Sequence, residues 1–147
     1  MRVADLLRHK KNDVVSIEPE SSVAAAARLL MGHGIGGLPV VARDGRLAGF
    51  IAERDIVQAV DQNGGSVAGL SVERVMRRPA PACAAAEPLY DVMARMTRER
   101  LRHLVVVDGD RITGVLSVGD IVKHRLEQLE TETGVLRDVV AGQRAVR

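Results

Sequence analysis

Aromatic residues are almost missing from this chain of 147, which has one Phe, one Tyr and no Trp. Proteins that bind single-stranded nucleic acid without sequence preference stack bases on aromatic side chains, and Phe50 and Tyr90 alone make a poor platform. Cysteine is as scarce. Cys83 stands alone, so no intramolecular disulfide can form and the framework of a small secreted fold is excluded. The four histidines, at 9, 33, 103 and 124, show no zinc-ligand spacing, and no metal site is expected. No stretch approaches the ~18 apolar residues of a membrane span, and "MRVADLLRHKK" has no apolar signal core ahead of its charges. Net charge is small too. The 21 basic and 19 acidic residues leave +2, too little to imply a nucleic-acid partner. A cytoplasmic protein without membrane contact is expected.

What the chain does have is 46% apolar residues, enough to bury a core, and a conspicuous glycine string. "MGHGIGGLPVV" places Gly32, Gly34 and Gly37 in the spacing G-x-G-x-x-G. A dinucleotide-binding loop follows a strand and opens a helix, so that pyrophosphate meets the helix N-terminus. Here the order is reversed. Val23, Ala26, Ala27, Leu30 and Met31 fall at helical spacing after Ser21 or Ser22 as N-cap, and "LPVV" downstream reads as a strand. The glycines are therefore expected to end a helix, with one in left-handed geometry, and to enter a strand.

The chain is written twice. Ile35 to Val41 lies over Leu101 to Val107 at an offset of 66, since 35 + 66 = 101. With one residue fewer in the turn, "GRLAGFIAERDIV" lies over "DRITGVLSVGDIV" and pairs Gly49 with Gly114 and Asp55 with Asp120. "VADLL" at 3 corresponds to "VERVM" at 72. Each copy reads as strand, helix, strand, tight turn, strand, helix. The expected spans are 14 to 17, 22 to 32, 38 to 41, 47 to 52 and 54 to 62, with "NGG" as the stop. In the second copy they are 80 to 84, 88 to 99, 103 to 107, 111 to 116 and 118 to 133, with Pro88 at a first helical position. A unit of about 55 residues has too little core to stand comfortably alone. The expected fold is therefore α/β, two β-α-β-β-α repeats packed sheet to sheet about a pseudo-two-fold axis. Residues 1–66 form the first repeat with its short N-terminal helix, 67–125 the second, and 126–147 a helical tail.

At these residues the sequence resembles a tandem pair of cystathionine-β-synthase (CBS) domains, a Bateman module of the small stand-alone bacterial type. The carriers are "VVSIEPESSV", "HGIGGLPVV", "RLRHLVVVD", "GFIAERDIV" and "GVLSVGDIV". The resemblance implies a regulatory binder of adenosine-containing molecules, with up to two clefts between the copies and no catalytic turnover. AMP is the first expectation, with ADP, ATP, NAD(H) or S-adenosylmethionine as alternatives. In the family motif G-h-x-[ST]-x-x-D, the hydroxyl and the helix N-terminus meet phosphate and the Asp accepts from the ribose diol. The residues allow that chemistry in their own right. A carboxylate three positions after a strand-end hydroxyl lies in the first helical turn, beside backbone N–H groups with no helical partner.

The second copy matches the motif with Gly114, Ser117 and Asp120, whereas the first keeps Gly49 and Asp55 but has Ala52 in place of the hydroxyl. Unequal sites are expected, the one at Asp120 better formed, with Arg54 as a compensating charge beside Asp55. Arg102 and His103 occupy the positions of Gly36 and Gly37, where family members reach phosphate. By the same resemblance the adenine lies near Ile35, Gly36 and Gly37 and near the first strand, Val15, Ser16 and Ile17.

Other features carry less. "RHKK" at 8 and "RR" at 77 follow equivalent short helices and could line clefts, though such runs are more often solvated ends. "GVLSVG" has the spacing G-x-x-S-x-G rather than that of a nucleophile elbow. Cys83 in "PACAAA" reads as an inert core thiol. Val122, Leu126, Leu129, Thr133, Leu136 and Val140 form a short heptad-like stripe suited to packing on the other repeat or a second subunit, and a homodimer is expected. The regulated protein partner is unknown. The alternative is a structural or protein-interaction module with vestigial clefts and no nucleotide.

Overall fold

The computed structural model describes residues 1–10 and 13–132. It divides into a body of Met1–Leu116 and a second unit that starts at Ser117. The first body holds α1 (Val3–Leu7), α2 (Val23–His33), β1 (Gly37–Val41), β2 (Leu47–Ala52), α3 (Glu53–Asn63) and α4 (Val72–Val75). It continues with β3 (Ala82–Ala84), α5 (Leu89–Glu99), β4 (His103–Asp108) and β5 (Arg111–Ser117), whose last residue opens the second unit. The second unit carries α6 (Val118–Glu132). The expected residues Thr133, Leu136 and Val140 of the apolar stripe lie outside the described residues.

Strands β1 and β2 form an antiparallel pair, with Gly37 opposite Ala52 and Pro39 opposite Phe50. β3, β4 and β5 form a second sheet in that order. The two sheets meet through Phe50, Ala52 and Val105, all buried, with Leu47, Ala82, Val107, Ile112 and Val115 packed around them. The chain's one phenylalanine is thus the centre of its inter-sheet core.

The glycine string behaves as its order along the chain predicts. Gly34 caps α2 in the left-handed region, at φ 62° and ψ 38°, and β1 begins at Gly37. Ser22 caps the other end, its hydroxyl accepting from Ala25 N at 3.1 Å. In the second copy the position equivalent to Gly34 is Arg100, which takes the same left-handed conformation at φ 56°. Pro88 departs from expectation. It stands outside α5 as the N-cap, with extended ψ of 132°, because it occupies the place of Ser22 and Leu89 is the first residue to turn.

A second departure has a cause legible in one residue. The expected strand 14 to 17 is reduced to a single parallel bridge between Ile17 and Val40, held by Ile17 N to Pro39 O at 3.1 Å and Val41 N to Ile17 O at 2.8 Å. Extending it would require an N–H from residue 39 to Val15 O, and proline has none. Val105 is the equivalent of Pro39, and its N–H reaches Pro81 O, the equivalent of Val15, at 2.8 Å. The second copy therefore forms β3, parallel to β4 with Cys83 beside Val106, where the first cannot. A short 3-10 segment at Gly64–Gly69, not expected from "NGG", follows α3.

The short helices are exchanged between copies. α1 bonds to the second copy, through Val3 N to Glu87 O at 3.0 Å, Ala4 N to Ala85 O at 2.9 Å and Leu89 N to Met1 O at 2.9 Å. α4 bonds to the first, through Val72 N to Ser21 O at 2.7 Å and Val23 N to Leu70 O at 2.9 Å. The repeated glycines of the last strands receive these helices. A Cβ on Gly114 would meet Leu7 Cδ1 at 3.1 Å, and one on Gly49 would meet Met76 Sδ and Arg77 O at 2.6 Å. Leu7 and Met76 are equivalent residues of "VADLL" and "VERVM", so both glycines are packing positions.

Cys83 is buried at 4% exposure. Desolvation pushes its thiol up from the ordinary 9.0 to about 11, with Glu87 adding to the rise. Between those values the unfolded chain releases the proton and the folded chain keeps it, so stability falls as pH rises. Two units correspond to about 2 to 3 kcal/mol. Denaturant unfolding from pH 8 to 11 should show the stability gap between wild type and Cys83→Ala narrowing by that order.

Candidate functional site

The two strand-to-helix junctions hold the recurring carboxylates. Asp55 is the third residue of α3, and its Oδ2 accepts from Ala52 N at 2.8 Å. Asp120 is the third residue of α6, and its Oδ2 accepts from Ser117 N at 3.0 Å. In α6 the cap is reciprocal, because Ser117 Oγ accepts from Asp120 N at 3.0 Å. Such a box ties down the helix start by about 1 kcal/mol. The motif residues Ser117 and Asp120 are therefore helix-capping groups before any ligand is considered. A carboxylate has about four lone-pair sites, so capping leaves acceptor capacity on each Asp.

Ala52 has no oxygen to offer Asp55 N. The second oxygen of Asp55 instead meets Arg77, with Nη2 3.5 Å from Oδ1 and the carboxylate side chain 10% exposed. Sequence reading noted Arg77 only as part of a basic run. Its neighbour Arg78 reaches Glu73 at 3.3 Å. What the sequence did not reveal is that Arg77 pairs through its backbone with Phe50, N to O at 2.7 Å and O from N at 3.0 Å. Those bonds fix its side chain beside the start of α3.

Around this junction the body gathers several of the expected residues. Gly37 is paired with Ala52, and Glu53 N donates to Gly36 O at 3.0 Å. The close approach that two glycines permit is taken up by protein rings. A Cβ on Gly36 would lie 3.2 Å from the His103 ring, and one on Gly37 would lie 2.4 Å from Phe50 Cζ. His103 and Phe50 are themselves in contact, with centroids 5.5 Å apart. Arg54 and Arg102 are exposed, as is Ser16. Ile17 is buried in the first-copy core, against which Val15 and Ile35 pack. Among the described residues, no cluster of His, Cys, Asp and Glu is placed to hold a metal ion, and no helix is long and apolar enough to cross a membrane.

Two copies of one α/β unit, exchanging short helices and each ending in a carboxylate-capped strand-to-helix junction, define a class of paired repeats. The comparisons name it. The CBS domain profile matches residues 3–62 and 72–127, and the chain belongs to the CBS domain family.

Inosine-5′-monophosphate dehydrogenase of Mycobacterium leprae is 35% identical over 123 residues, covering 82% of this chain and 22% of that protein. The chain thus spans about a fifth of that dehydrogenase's length. Among solved structures, a CBS-domain-containing protein of Agrobacterium tumefaciens is 37% identical with a TM-score of 0.80, over 84% of this chain and 92% of that one. A CBS domain protein of Pyrobaculum aerophilum complexed with AMP is 29% identical with a TM-score of 0.76, over 90% and 99%. The CBS domain pair of protein MJ0100, in complex with 5′-methylthioadenosine and S-adenosyl-L-methionine, is 27% identical with a TM-score of 0.76, over 87% and 98%.

Proposed function

We propose that the chain is a regulatory module that binds an adenosine-containing ligand, AMP in the first place and ATP or NADH as alternatives. The carrying observation is the recurrence of a helix-capping carboxylate, Asp55 and Asp120, at the same strand-to-helix junction of both copies. AMP bound to a neighbour of matching fold supports the choice of ligand. In this reading each Asp accepts from a ribose diol, at about 1.5 to 3 kcal/mol per charge-assisted bond. The backbone N–H groups at the helix starts, with Ser117, Arg54, Arg102 and His103, face phosphate. Gly36, Gly37, Ile35 and the segment Val15, Ser16 and Ile17 lie toward the base.

The module signals rather than catalyses. Ser117 is held as a cap and the Cys83 thiol is buried, so neither is poised as a nucleophile. Signalling requires that the ligand bind two states of the module with different affinity. Val118, Val122, Leu126 and Leu129 of α6 are 42% to 54% exposed, which supports a homodimer. Light scattering at micromolar concentration should give the mass of two chains, and a monomeric mass removes the dimer.

A thermal-shift titration of ligand-free protein against AMP, ADP, ATP, NAD, NADH and S-adenosylmethionine tests the function. A ligand at 100 times its dissociation constant adds about 2.7 kcal/mol to stability, several degrees in Tm for a chain of this size. One observation favours a second reading, an interaction module with empty clefts. The rings of His103 and Phe50 already fill the approach to Gly36 and Gly37. No shift with any of the six compounds would favour that reading.

A further inference from the structure

We propose that Asn63–Gly64 is a site of spontaneous deamidation, held closed by the folded end of α3 and opened when the last turn of that helix unwinds. It is independent of any ligand. Asparagine before glycine is the pairing most prone to this reaction, because a residue without a side chain leaves its backbone nitrogen open to the preceding amide. The Gly64 nitrogen attacks Asn63 Cγ and closes a five-membered imide, while the Cγ–Nδ2 bond breaks and ammonia leaves with the Gly64 amide proton. Water then adds to either imide carbonyl, and the ring opens to aspartate or isoaspartate at position 63.

Water has access, since residues 61–66 are all exposed. What the folded chain withholds is the geometry. The ring requires Cβ and the Gly64 nitrogen to eclipse about the Asn63 Cα–C bond, which at a tetrahedral carbon puts ψ about 120° from zero. Asn63 stands at ψ −6°. Both reacting nitrogens are also engaged. Asn63 Nδ2 donates to Ala59 O at 3.0 Å, and the N–H of Gly64 donates to Val60 O as the cap of α3. Ser66 Oγ donates to Asn63 O at 3.3 Å, a further restraint on the peptide plane that has to turn. Rotating ψ to the reactive angle breaks the Gly64 and Ser66 bonds together, so reaction waits on opening of the helix end.

The second copy has no counterpart. At the offset that pairs Asp55 with Asp120, Gln128 and Leu129 stand in these places, and a glutamine cannot close the five-membered ring. The product in the first copy works against the helix that held the asparagine. A carboxylate at position 63 lies at the negative end of the α3 dipole and has no N–H for Ala59 O. Ala59 is packed with Val23 and with Val67 of the 3-10 segment, so modification loosens the joint between α3 and the segment that follows it.

The test is to age the full chain in mildly alkaline buffer across a guanidinium series, with circular dichroism reporting the folded fraction. Peptide mass mapping then follows the change from amide to acid in the fragment that spans Asn63. The unfolded chain should react at least about tenfold faster than the folded chain, whose opening costs several hydrogen bonds. Well below the unfolding midpoint the rate should stay nearly flat as denaturant rises, because opening one helical turn exposes little surface. It should then climb with the unfolded fraction. Equal rates in the folded and unfolded chain would overturn the closure. A rate that climbs steeply from the first additions of denaturant would make the opening global and overturn the role of the last turn. Absence of modification at Asn63 in the unfolded chain would overturn the site itself.

Discussion

Phe50→Ala is expected to cost about 3 to 5 kcal/mol, the range for emptying a buried aromatic site. Phe50 is 1% exposed and lies between the sheets, against Val105 on one side and the Gly37 backbone on the other. Domains of this kind have roughly 5 to 15 kcal/mol in total, so the variant should lose on the order of 10 °C in Tm or fail to accumulate folded. Chemical denaturation followed by circular dichroism reads the loss directly. The ring also explains Gly37. Gly37→Ala would drive a Cβ into Phe50 at 2.4 Å, so Phe50→Leu should relieve part of the damage of Gly37→Ala. A double-mutant cycle measures that coupling. Additive costs would show that the glycine is needed for another reason.

The second large effect separates two residues that sequence comparison treats as equivalent. Gly49→Ala places a Cβ 2.6 Å from the carbonyl oxygen of Arg77, and that oxygen belongs to the backbone pair with Phe50. Backbone cannot step aside without breaking the pair, so the cost should be about 3 kcal/mol, at the upper end for overpacking. Gly114→Ala meets only the methyl groups of Leu7, at 3.1 and 3.2 Å. These can move by a rotamer change, and a loss below about 1 kcal/mol is expected. Parallel urea titrations of the two variants test the ranking. Equal losses would mean that the two copies are stiffer, or softer, alike than their neighbours imply.

Much of the fold was legible because the repeat doubles every signal. The offset that overlays Ile35 to Val41 on Leu101 to Val107 also transfers the helix before and the hairpin after. A left-handed glycine cap follows from the place of the string behind a helical apolar stripe, and Gly34 is the glycine that takes it. The truncation of the first strand is not legible in the sequence, although its cause, Pro39, stands in it. A proline's effect depends on which side of it a partner strand lies, and that is a tertiary fact. Pro88 stands one position outside α5, as its equivalence to the N-cap Ser22 implies.

At the candidate site, the repeated Asp55 and Asp120 could be read from spacing alone, as could the missing hydroxyl at Ala52. That Arg77 reaches Asp55 could not, since the two are 22 residues apart and their meeting depends on Arg77 joining the edge of β2. Nor could the sequence say that His103 and Phe50 would occupy the space left by Gly36 and Gly37.

The exchange of short helices also has a temporal side. Arg2 bonds to Ala86 O, a separation of 84 residues, so α1 leaves the ribosome long before its partners exist. At roughly 5 to 20 residues per second of synthesis, it waits about 4 to 17 s for them. During that interval Val3 and Leu6, both buried in the finished protein, have nowhere to pack. The residues of α1 thus settle only after their partners near residue 86 have been made, and until then the nascent chain presents their apolar side to proteolysis and misassociation.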